Sequence, residues 1–307
     1  MSDATEIVRI PAWERYGWLR HGFSMRLGGV STVYGGKSLN LGWTKEDTPG
    51  LVMENRRRFV WSFGGDLHGE DGPADGWRMV TLRQVHSDLV HAVGREALEG
   101  SLETAEGKAV LEGDGLMTDV PGVLLAVGTA DCVPVLVVDV KERVVGAFHA
   151  GWRGTAAGIV EGGVAKMREA YGSRVEDLVA AVGPSIGACC YAVGEEVRAA
   201  FGARFGYADE LFRVIRDDGP ASDDTHLSGD EAAPKMGHPV LGESKLHVDL
   251  WEANRRQLVT AGLGAEQITV VGECTACALS GGERKYFSHR ADKGVAGRML
   301  SAVGVCA

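Results

Sequence analysis

Two apolar segments in the middle of the chain limit its fold more than any other feature. Residues 133–140 ("VPVLVVDV") and 144–150 ("VVGAFHA") are short and rich in valine, which indicates strands rather than helices. Only a short charged connection separates them, whereas a crossover between parallel strands needs about a dozen residues or more. The sequence therefore predicts an antiparallel hairpin whose turn lies within "DVKER" (139–143).

The apolar patterns outside the hairpin alternate between strand and helix without strict βαβ order. The predicted strands lie at 78–86, 123–130, 177–184 and 267–273, and the predicted helices at 155–172, 194–205 and 248–263. Because strands outnumber helices, we expect a single α+β domain over residues 1–307, with mixed β-sheets flanked by helices. Segments rich in Gly, Pro, Asp and Glu predict surface insertions near 64–76, 95–108 and 216–239.

Charge and composition exclude several classes of protein. The formal net charge of −10 argues against non-specific nucleic-acid binding, which requires a basic face. No apolar run approaches the ~18 residues of a membrane span. We therefore expect neither nucleic acid nor a membrane as a partner. The N-terminal sequence has no basic start and apolar core of a signal peptide, which predicts a cytoplasmic protein with reduced cysteines. Both a monomer and a weak dimer fit the sequence.

The predicted hairpin brings two reactive side chains together at its open end. Pairing of Cys132 with His149 places the centre of the hairpin between Val140 and Lys141, inside the expected turn. We therefore expect the two side chains on the same face, where directly opposed Cβ atoms are about 4.5–5.5 Å apart. His86, at the end of the predicted strand 78–86, is the histidine best placed to join them. These three side chains would leave the fourth position of a tetrahedral zinc ion open, as in catalytic zinc sites.

A second interpretation of the same residues needs no metal. Cys132 would act as a nucleophile and His149 as its base, with Asp131 or Asp114 orienting the imidazole. The residues favour zinc, because two histidines converge where a nucleophile needs only one. The nucleophile therefore stays open as the alternative.

Two further segments carry residues of interest. After His149 the chain reads "AGWRGT", in which Trp152 offers a flat surface to a ring and Arg153 a bidentate donor to an oxyanion. Cys274 and Cys277 form a CxxC motif, but no second CxxC or nearby histidine pair accompanies it. The sequence therefore predicts a substrate contact in the first segment and a packed turn in the second.

Nine segments that span nearly the whole chain carry a resemblance to a known family: "HGFSMRLGGVS" (21–31), "SLNLG" (38–42), "ENRRRF" (54–59), "RQVHSD" (83–88), "GDGLMTDVPGVLLAVGTADCVPVLVVD" (113–139), "GAFHAGWRGTAAGIV" (146–160), "VGPSIGACCYAVGEEV" (182–197), "KLHVDLWEANRRQL" (245–258) and "CTACALSGGERKYFSHRADKGVAGRML" (274–300). Together they resemble the bacterial laccase-domain family, also known as peptidoglycan editing factors and as purine nucleoside phosphorylases. In relatives the zinc ligands are the His of "QVH", the Cys of "ADC" and the His of "HAGW". The resemblance therefore implies zinc on His86, Cys132 and His149.

The resemblance also implies a reaction: phosphorolysis of adenosine, inosine and S-methyl-5′-thioadenosine, with deamination of adenosine. The fold is similar to that of a CNF-like toxin family with a Cys-His deamidase site. A Cys-His hydrolase or amidase acting on a peptide-like or cell-wall precursor is therefore the alternative, and a non-enzymatic nucleotide-binding module is a third hypothesis. Multicopper oxidation is not expected, because its copper cluster is normally built from His-x-His pairs and the chain has none. A single copper ion would fit the zinc site.

A purine nucleoside and phosphate as substrates require cationic and proton-transferring groups. The candidate phosphate ligands are Arg26, Arg153, Arg290 and Arg298. Asp131 and Asp114 are the candidate acid–base groups, because a leaving purine needs a proton at N7. The HxE…PCxxC motif of base deaminases is absent, so deamination would need a different geometry.

Overall fold

Strands dominate the part of the chain that the computed structural model describes, residues 5–67, 76–100, 102–216 and 244–306. In these ranges the strands are β1 (Ile7–Val8), β2 (Leu19–Ser24), β3 (Leu27–Ser31), β4 (Arg78–Val80), β5 (Val90–Ala92), β6 (Gly115–Thr118), β7 (Val123–Thr129), β8 (Val133–Asp139), β9 (Val144–Ala150), β10 (Leu178–Val182), β11 (Ala192–Val193), β12 (Phe212–Arg216), β13 (Ser244–Val248), β14 (Ile268–Val270), β15 (Leu279–Ser280), β16 (Glu283–Arg284) and β17 (Met299–Val305). The α-helices are α1 (Pro49–Trp61), α2 (Arg95–Glu99), α3 (Trp152–Ala157), α4 (Ile159–Tyr171), α5 (Glu195–Gly202) and α6 (Leu250–Thr260).

Two large mixed sheets form the body of the molecule. The first has the strand order β1-β2-β17-β7-β4, and the second has the order β14-β10-β8-β9-β6-β5. The pairs β4–β7, β10–β14 and β5–β6 are parallel, and the other pairs in these two sheets are antiparallel. Two small sheets, β11-β13-β12 and β15-β16, complete the fold. The predicted α+β domain with mixed sheets flanked by helices is confirmed.

The continuous apolar sequence of β8 follows from burial on both faces of its sheet. Val135 and Val137 pack into the core under α4 and α6, whereas Leu136 and Val138 pack into the core between the two sheets. Because successive side chains of a strand point to opposite faces, a strand covered on both sides has no polar face. Phe59 of α1 belongs to a third core on the outer face of the first sheet, so helices cover both outer surfaces.

The predicted hairpin forms, but its centre was wrong by one residue. Pro134, and not Cys132, lies opposite His149. The turn is displaced because the Oδ1 atom of Asp139 accepts two backbone N–H bonds from the turn, at 3.0 and 2.9 Å, and Arg143 adopts a φ of 55°. Moving the centre of the hairpin by one residue moves each pairing partner by two. Cys132 and His149 therefore still lie on the same face of the sheet, as diagonal neighbours.

Two predicted elements are shorter or divided. The strand predicted at 78–86 ends at Val80, because the backbone N–H groups of residues 85–87 turn towards the carboxylate of Asp114. The helix predicted at 155–172 is interrupted at Gly158, whose φ of 84° lies in the left-handed region that favours glycine. The break separates α3, next to the candidate site, from α4.

The three predicted insertions differ in how far the structure describes them. Residues 68–75 of the first, and all of the third beyond residue 216, lie outside the described residues. The segment 95–108 contains α2 and packs onto the domain, since a Cβ atom on Gly107 would lie 3.1 Å from the ring of Trp43. Among the described residues, no helix combines the length and the apolar character needed to cross a membrane.

Candidate metal centre

Three potential metal ligands converge from three different elements. His86 lies in the loop that follows β4, Cys132 directly precedes β8, and His149 lies in β9. Their ligand atoms all lie within 4.8 Å of one another, and the Sγ atom of Cys132 is 3.9 Å from Nε2 of His86. Tetrahedral zinc, with Zn–S of about 2.3 Å and Zn–N of about 2.0–2.1 Å, separates such atoms by about 3.4–3.6 Å. A small contraction would therefore bring the three side chains to zinc-binding distances.

Asp114 holds both histidines in place. Its Oδ1 atom accepts hydrogen bonds from Nδ1 of His149 at 2.8 Å and from the backbone N–H of His86 at 3.1 Å. Its Oδ2 atom accepts from the backbone N–H and the hydroxyl of Ser87, at 2.6 and 2.7 Å. Because Nδ1 of His149 is engaged, Nε2 is the nitrogen left for a ligand. A histidine that binds a metal usually donates its other ring N–H to a carboxylate in this way.

The electrostatics of Cys132, His149 and Asp114 favour a bound cation. Burial raises the pKa of the Cys132 thiol, but the charge and hydrogen bonds of His149 and His86 outweigh burial and lower the pKa to about 6. Burial lowers the pKa of His149, but the Cys132 thiolate and Asp114 raise it to about 9. Burial raises the pKa of Asp114, whereas hydrogen bonds from His149 and Ser87 lower it to about 2. A zinc ion, which needs a thiolate and a neutral imidazole, would replace the proton on His149.

Gly151 provides the space in which the ligands meet. A Cβ atom at this position would lie 2.9 Å from Cδ2 of His86 and 3.1 Å from Sγ of Cys132. The chain then enters α3 at Trp152. The close approach of the ligands therefore requires a glycine at position 151. The turn that follows places Trp152 and Arg153 beside the ligands.

The three ligands line a cavity of about 600 Å³ that has the chemistry of a small-molecule site. Its wall combines aromatic rings with guanidinium groups, contributed by Trp43, Trp152, Tyr191, Arg56, Arg153, Arg290 and Arg298. Arg153 is exposed and lies over the ring of Trp152, with 4.4 Å between its Cζ atom and the ring centroid. The structure thus brings four of the predicted substrate contacts to the same cavity as the ligands: Trp152, Arg153, Arg290 and Arg298.

Arg26 is the exception among the predicted arginines. It does not line this cavity, because its guanidinium donates to the backbone carbonyl of Tyr34 at 2.7 Å and lies 3.6 Å from the carboxylate of Asp292. Its Cζ atom also lies 5.3 Å from the centroid of the Phe287 ring. The structure therefore places Arg26 in a neighbouring part of the fold, and its contact with substrate stays a prediction.

Asp131 is close to the ligands, but both of its carboxylate oxygens are engaged. Oδ1 accepts from the hydroxyl of Thr275, and Oδ2 accepts from the backbone N–H of Arg290, both at 2.7 Å. Its φ of 94° lies in the left-handed region, which is costly for a residue with a side chain. These bonds tie the residue before Cys132 to two other segments.

Sequence reasoning missed several residues that line the cavity: Trp43, Arg56, Gln84, Tyr191 and His289. Arg56 is buried, donates to the backbone carbonyl of Leu41 at 3.0 Å and lies over Trp43, and burial lowers its pKa to about 10. Helical periodicity would have identified it among the three arginines of "NRRRF", because Arg56 shares a face with Val52 and Val60. The others are loop residues without a comparable pattern.

Comparison with known proteins gives a consistent result. Residues 20–306 match the profile of the family described as multi-copper polyphenol oxidoreductase laccase. The purine nucleoside phosphorylase YlmD of Geobacillus stearothermophilus is 35% identical over 301 residues, which cover 95% of each chain. The adenosine deaminase RL5 of an unknown prokaryotic organism is 36% identical over 228 residues, which cover 74% of this chain and 72% of that protein. The crystal structure of the hypothetical protein YfiH of Bacillus licheniformis has a TM-score of 0.76 at 32% identity, covering 99% of this chain and 98% of that one.

A Cys-His-His cluster in a cavity with arginines and aromatic rings is typical of metal-dependent enzymes. The chain belongs to the multi-copper polyphenol oxidoreductase laccase family. The relatives compared above carry the names of two enzymes, a purine nucleoside phosphorylase and an adenosine deaminase.

Proposed function

We propose that this protein is a cytoplasmic, zinc-dependent purine nucleoside phosphorylase that acts on adenosine, inosine and S-methyl-5′-thioadenosine and also deaminates adenosine. The observation that carries the proposal is the convergence of His86, Cys132 and His149 on one wall of the 600 Å³ cavity. The names of the relatives, a purine nucleoside phosphorylase and an adenosine deaminase, support the choice of substrate. A single copper ion is a second candidate for the same ligands.

The cavity suits a purine nucleoside together with phosphate. Its volume lies within the range of about 300–1,000 Å³ typical of small-molecule sites. Trp43, Trp152 and Tyr191 offer faces on which a purine can stack. Arg153, Arg290 and Arg298 supply cationic donors for the phosphate oxygens. Zinc on the three ligands would supply a Lewis acid that polarises an oxygen nucleophile.

The leaving purine needs a proton from a group other than Asp114 and Asp131, the two acid–base candidates predicted from the sequence. The low pKa of Asp114 keeps it ionised, and its oxygens already accept bonds from both histidine segments. Asp131 is engaged by Thr275 and Arg290. We therefore assign both carboxylates to positioning. His289 lines the cavity and is exposed, so its imidazole replaces the two aspartates as the candidate proton donor to the leaving purine.

One observation favours the second candidate function, a Cys-His hydrolase or amidase. The lowered pKa of Cys132, its contact with His149 and the bond from His149 to Asp114 form the arrangement of an activated thiolate, its base and an orienting carboxylate. This function predicts that alkylation of Cys132 is blocked by substrate and that activity survives removal of metal.

The decisive experiment combines metal analysis with a turnover assay. The purified protein is incubated with inosine and phosphate, hypoxanthine is measured, and bound zinc is quantified on the same sample. We expect Cys132→Ala to lose hypoxanthine formation and the zinc bound at this centre. Cys306→Ala is the matched control, because Cys306 lies away from the cavity beside the backbone carbonyl of Gly17. Undiminished phosphorolysis by the metal-free protein would refute the proposal.

A further inference from the structure

Four cysteines form a second cluster outside the site described above. Cys189 and Cys190 lie in the turn between β10 and β11, and Cys274 and Cys277 lie in the segment between β14 and β15. The four Sγ atoms all lie within 4.8 Å of one another, and those of Cys189 and Cys277 are 3.8 Å apart. We propose that this four-cysteine cluster is a structural metal site that binds one Zn²⁺ ion.

The distances fit a single tetrahedral ion. Four thiolates at Zn–S distances of about 2.3 Å place their sulfur atoms about 3.8 Å apart. The Sγ atoms of Cys189 and Cys277 are separated by this distance, and no pair in the cluster exceeds 4.8 Å. Iron–sulfur clusters distribute their thiolates over two or more iron atoms and need some wider separations. An all-thiolate set of four selects a soft ion and leaves no open position, which is the pattern of structural zinc.

The backbone already holds the two cysteine segments against each other. The N–H of Thr275 donates to the carbonyl of Ser185 at 3.0 Å, and the N–H of Ser185 donates to the carbonyl of Glu273 at 3.3 Å. The N–H of Gly187 also donates to the Sγ atom of Cys274 at 3.3 Å. Backbone N–H groups that donate to ligating atoms orient them and stabilise their negative charge. The ligands are therefore pre-positioned before any ion binds.

This arrangement explains why the CxxC motif had no visible partner in the sequence. The prediction of a plain packed turn at 274–277 did not include the two other thiols, which come from an adjacent pair far away in the chain, Cys189 and Cys190. The bend at residues 188–190 lets neighbouring side chains approach one ion, whereas in an extended strand they would point to opposite faces.

The second site would support the first without taking part in its chemistry. The N–H of Ile186 donates to the backbone carbonyl of Asp131 at 2.9 Å, and Thr275 donates to the carboxylate of Asp131 at 2.7 Å. Both donors lie within the segments that carry the four-cysteine cluster. An ion there would therefore fix the two segments that hold the residue before Cys132, and Tyr191, next to Cys190, lines the cavity.

The test is the number of zinc ions bound per chain in a set of variants of the full-length protein. We expect Cys189→Ser combined with Cys277→Ser to remove one zinc per chain, and Cys132→Ala to leave that zinc in place. The two exposed cysteines are chosen because their replacement leaves no cavity in the core. Cys306→Ser is the control and should keep the full zinc content. Cobalt loaded into Cys132→Ala should show the strong visible absorption of a tetrathiolate site. This absorption should vanish in the triple variant that combines Cys132→Ala with Cys189→Ser and Cys277→Ser.

Three results would overturn the proposal. The first is an unchanged zinc content in the double variant. The second is a mass two hydrogens lower than that of the reduced chain under non-reducing conditions, which would show a disulfide in place of metal thiolates. The third is immediate reaction of all six thiols with a thiol reagent without release of zinc. Because the Cys132→Ala chain is measured in parallel, failure of this second site is distinguishable from failure of the phosphorylase proposal.

Discussion

Replacement of Asp114 by Asn tests whether this buried carboxylate positions the metal ligands. Oδ1 accepts two hydrogen bonds, from His149 and from the backbone of His86, and Oδ2 accepts from the hydroxyl and backbone of Ser87 and from the backbone of Val85. An asparagine presents an NH₂ group in place of one oxygen. In either orientation of the amide, at least two of the groups that now donate to the carboxylate would face the NH₂ group instead of an oxygen.

The structure gives the size of the expected effect. Loss of the carboxylate that orients a metal-binding histidine typically costs about 10–100-fold in metal affinity. Each buried donor left without an acceptor costs about 1–3 kcal/mol of stability. For Asp114→Asn we therefore expect zinc to bind about 10–100-fold more weakly, and the free energy of unfolding of the metal-free protein to fall by about 2 kcal/mol or more.

Zinc affinity is measured on metal-free protein by competition with a chromophoric chelator, and stability by urea unfolding followed by circular dichroism. The matched control is Asp88→Asn, which makes the same change at an exposed position in the loop that carries His86 and should leave both quantities unaltered. A folded Asp114→Asn protein whose zinc dissociation constant stays within twofold of the original would contradict the assigned role.

Three further predictions address packing, substrate contact and pH. Gly151→Ala should weaken zinc binding at least tenfold, because the added Cβ meets both His86 and Cys132, whereas Gly162→Ala, with no atom within 4 Å of its Cβ, should bind zinc normally. Arg153→Ala should raise the KM for phosphate about tenfold or more, since a charge-assisted hydrogen bond contributes about 1.5–3 kcal/mol, and an unchanged KM would exclude the contact. Burial lowers the pKa of His21 from 6.5 to about 4, so the native state binds fewer protons than the unfolded state between these values. The stability from His21 is therefore complete above pH 6.5 and falls by up to about 3 kcal/mol as the pH drops to 4; urea unfolding of His21→Gln across this range should show a shallower loss.

The sequence predicted the fold class and the central hairpin because these depend on local periodicity. It did not predict β17, although this strand lies between β2 and β7 in the first sheet. Its partners are distant in the chain, and no local pattern indicates which strand pairs with which. The position of the hairpin turn was also missed, because it depends on hydrogen bonds from the side chain of Asp139.

The candidate site was predictable to the extent that its residues lie at recognisable strand ends or within recognisable motifs. His86, Cys132 and His149 are brought together as expected, and so are three of the four predicted arginines. The role of Asp114 as a common acceptor for both histidine segments was not predictable, because it depends on a loop that leaves the strand pattern after Val80. The four-cysteine cluster was missed for a related reason, since its two halves meet only in the folded chain.

The origin of the three metal ligands has a consequence for the order in which the molecule is assembled. His86 follows β4 of the first sheet, Cys132 lies in the crossing from β7 of the first sheet to β8 of the second, and His149 belongs to β9 of the second. A zinc ion on these ligands would join the two sheets at one point. We therefore expect the ion to be captured late in folding, after the sheets have docked, and its removal to increase amide hydrogen exchange first along the seam between them.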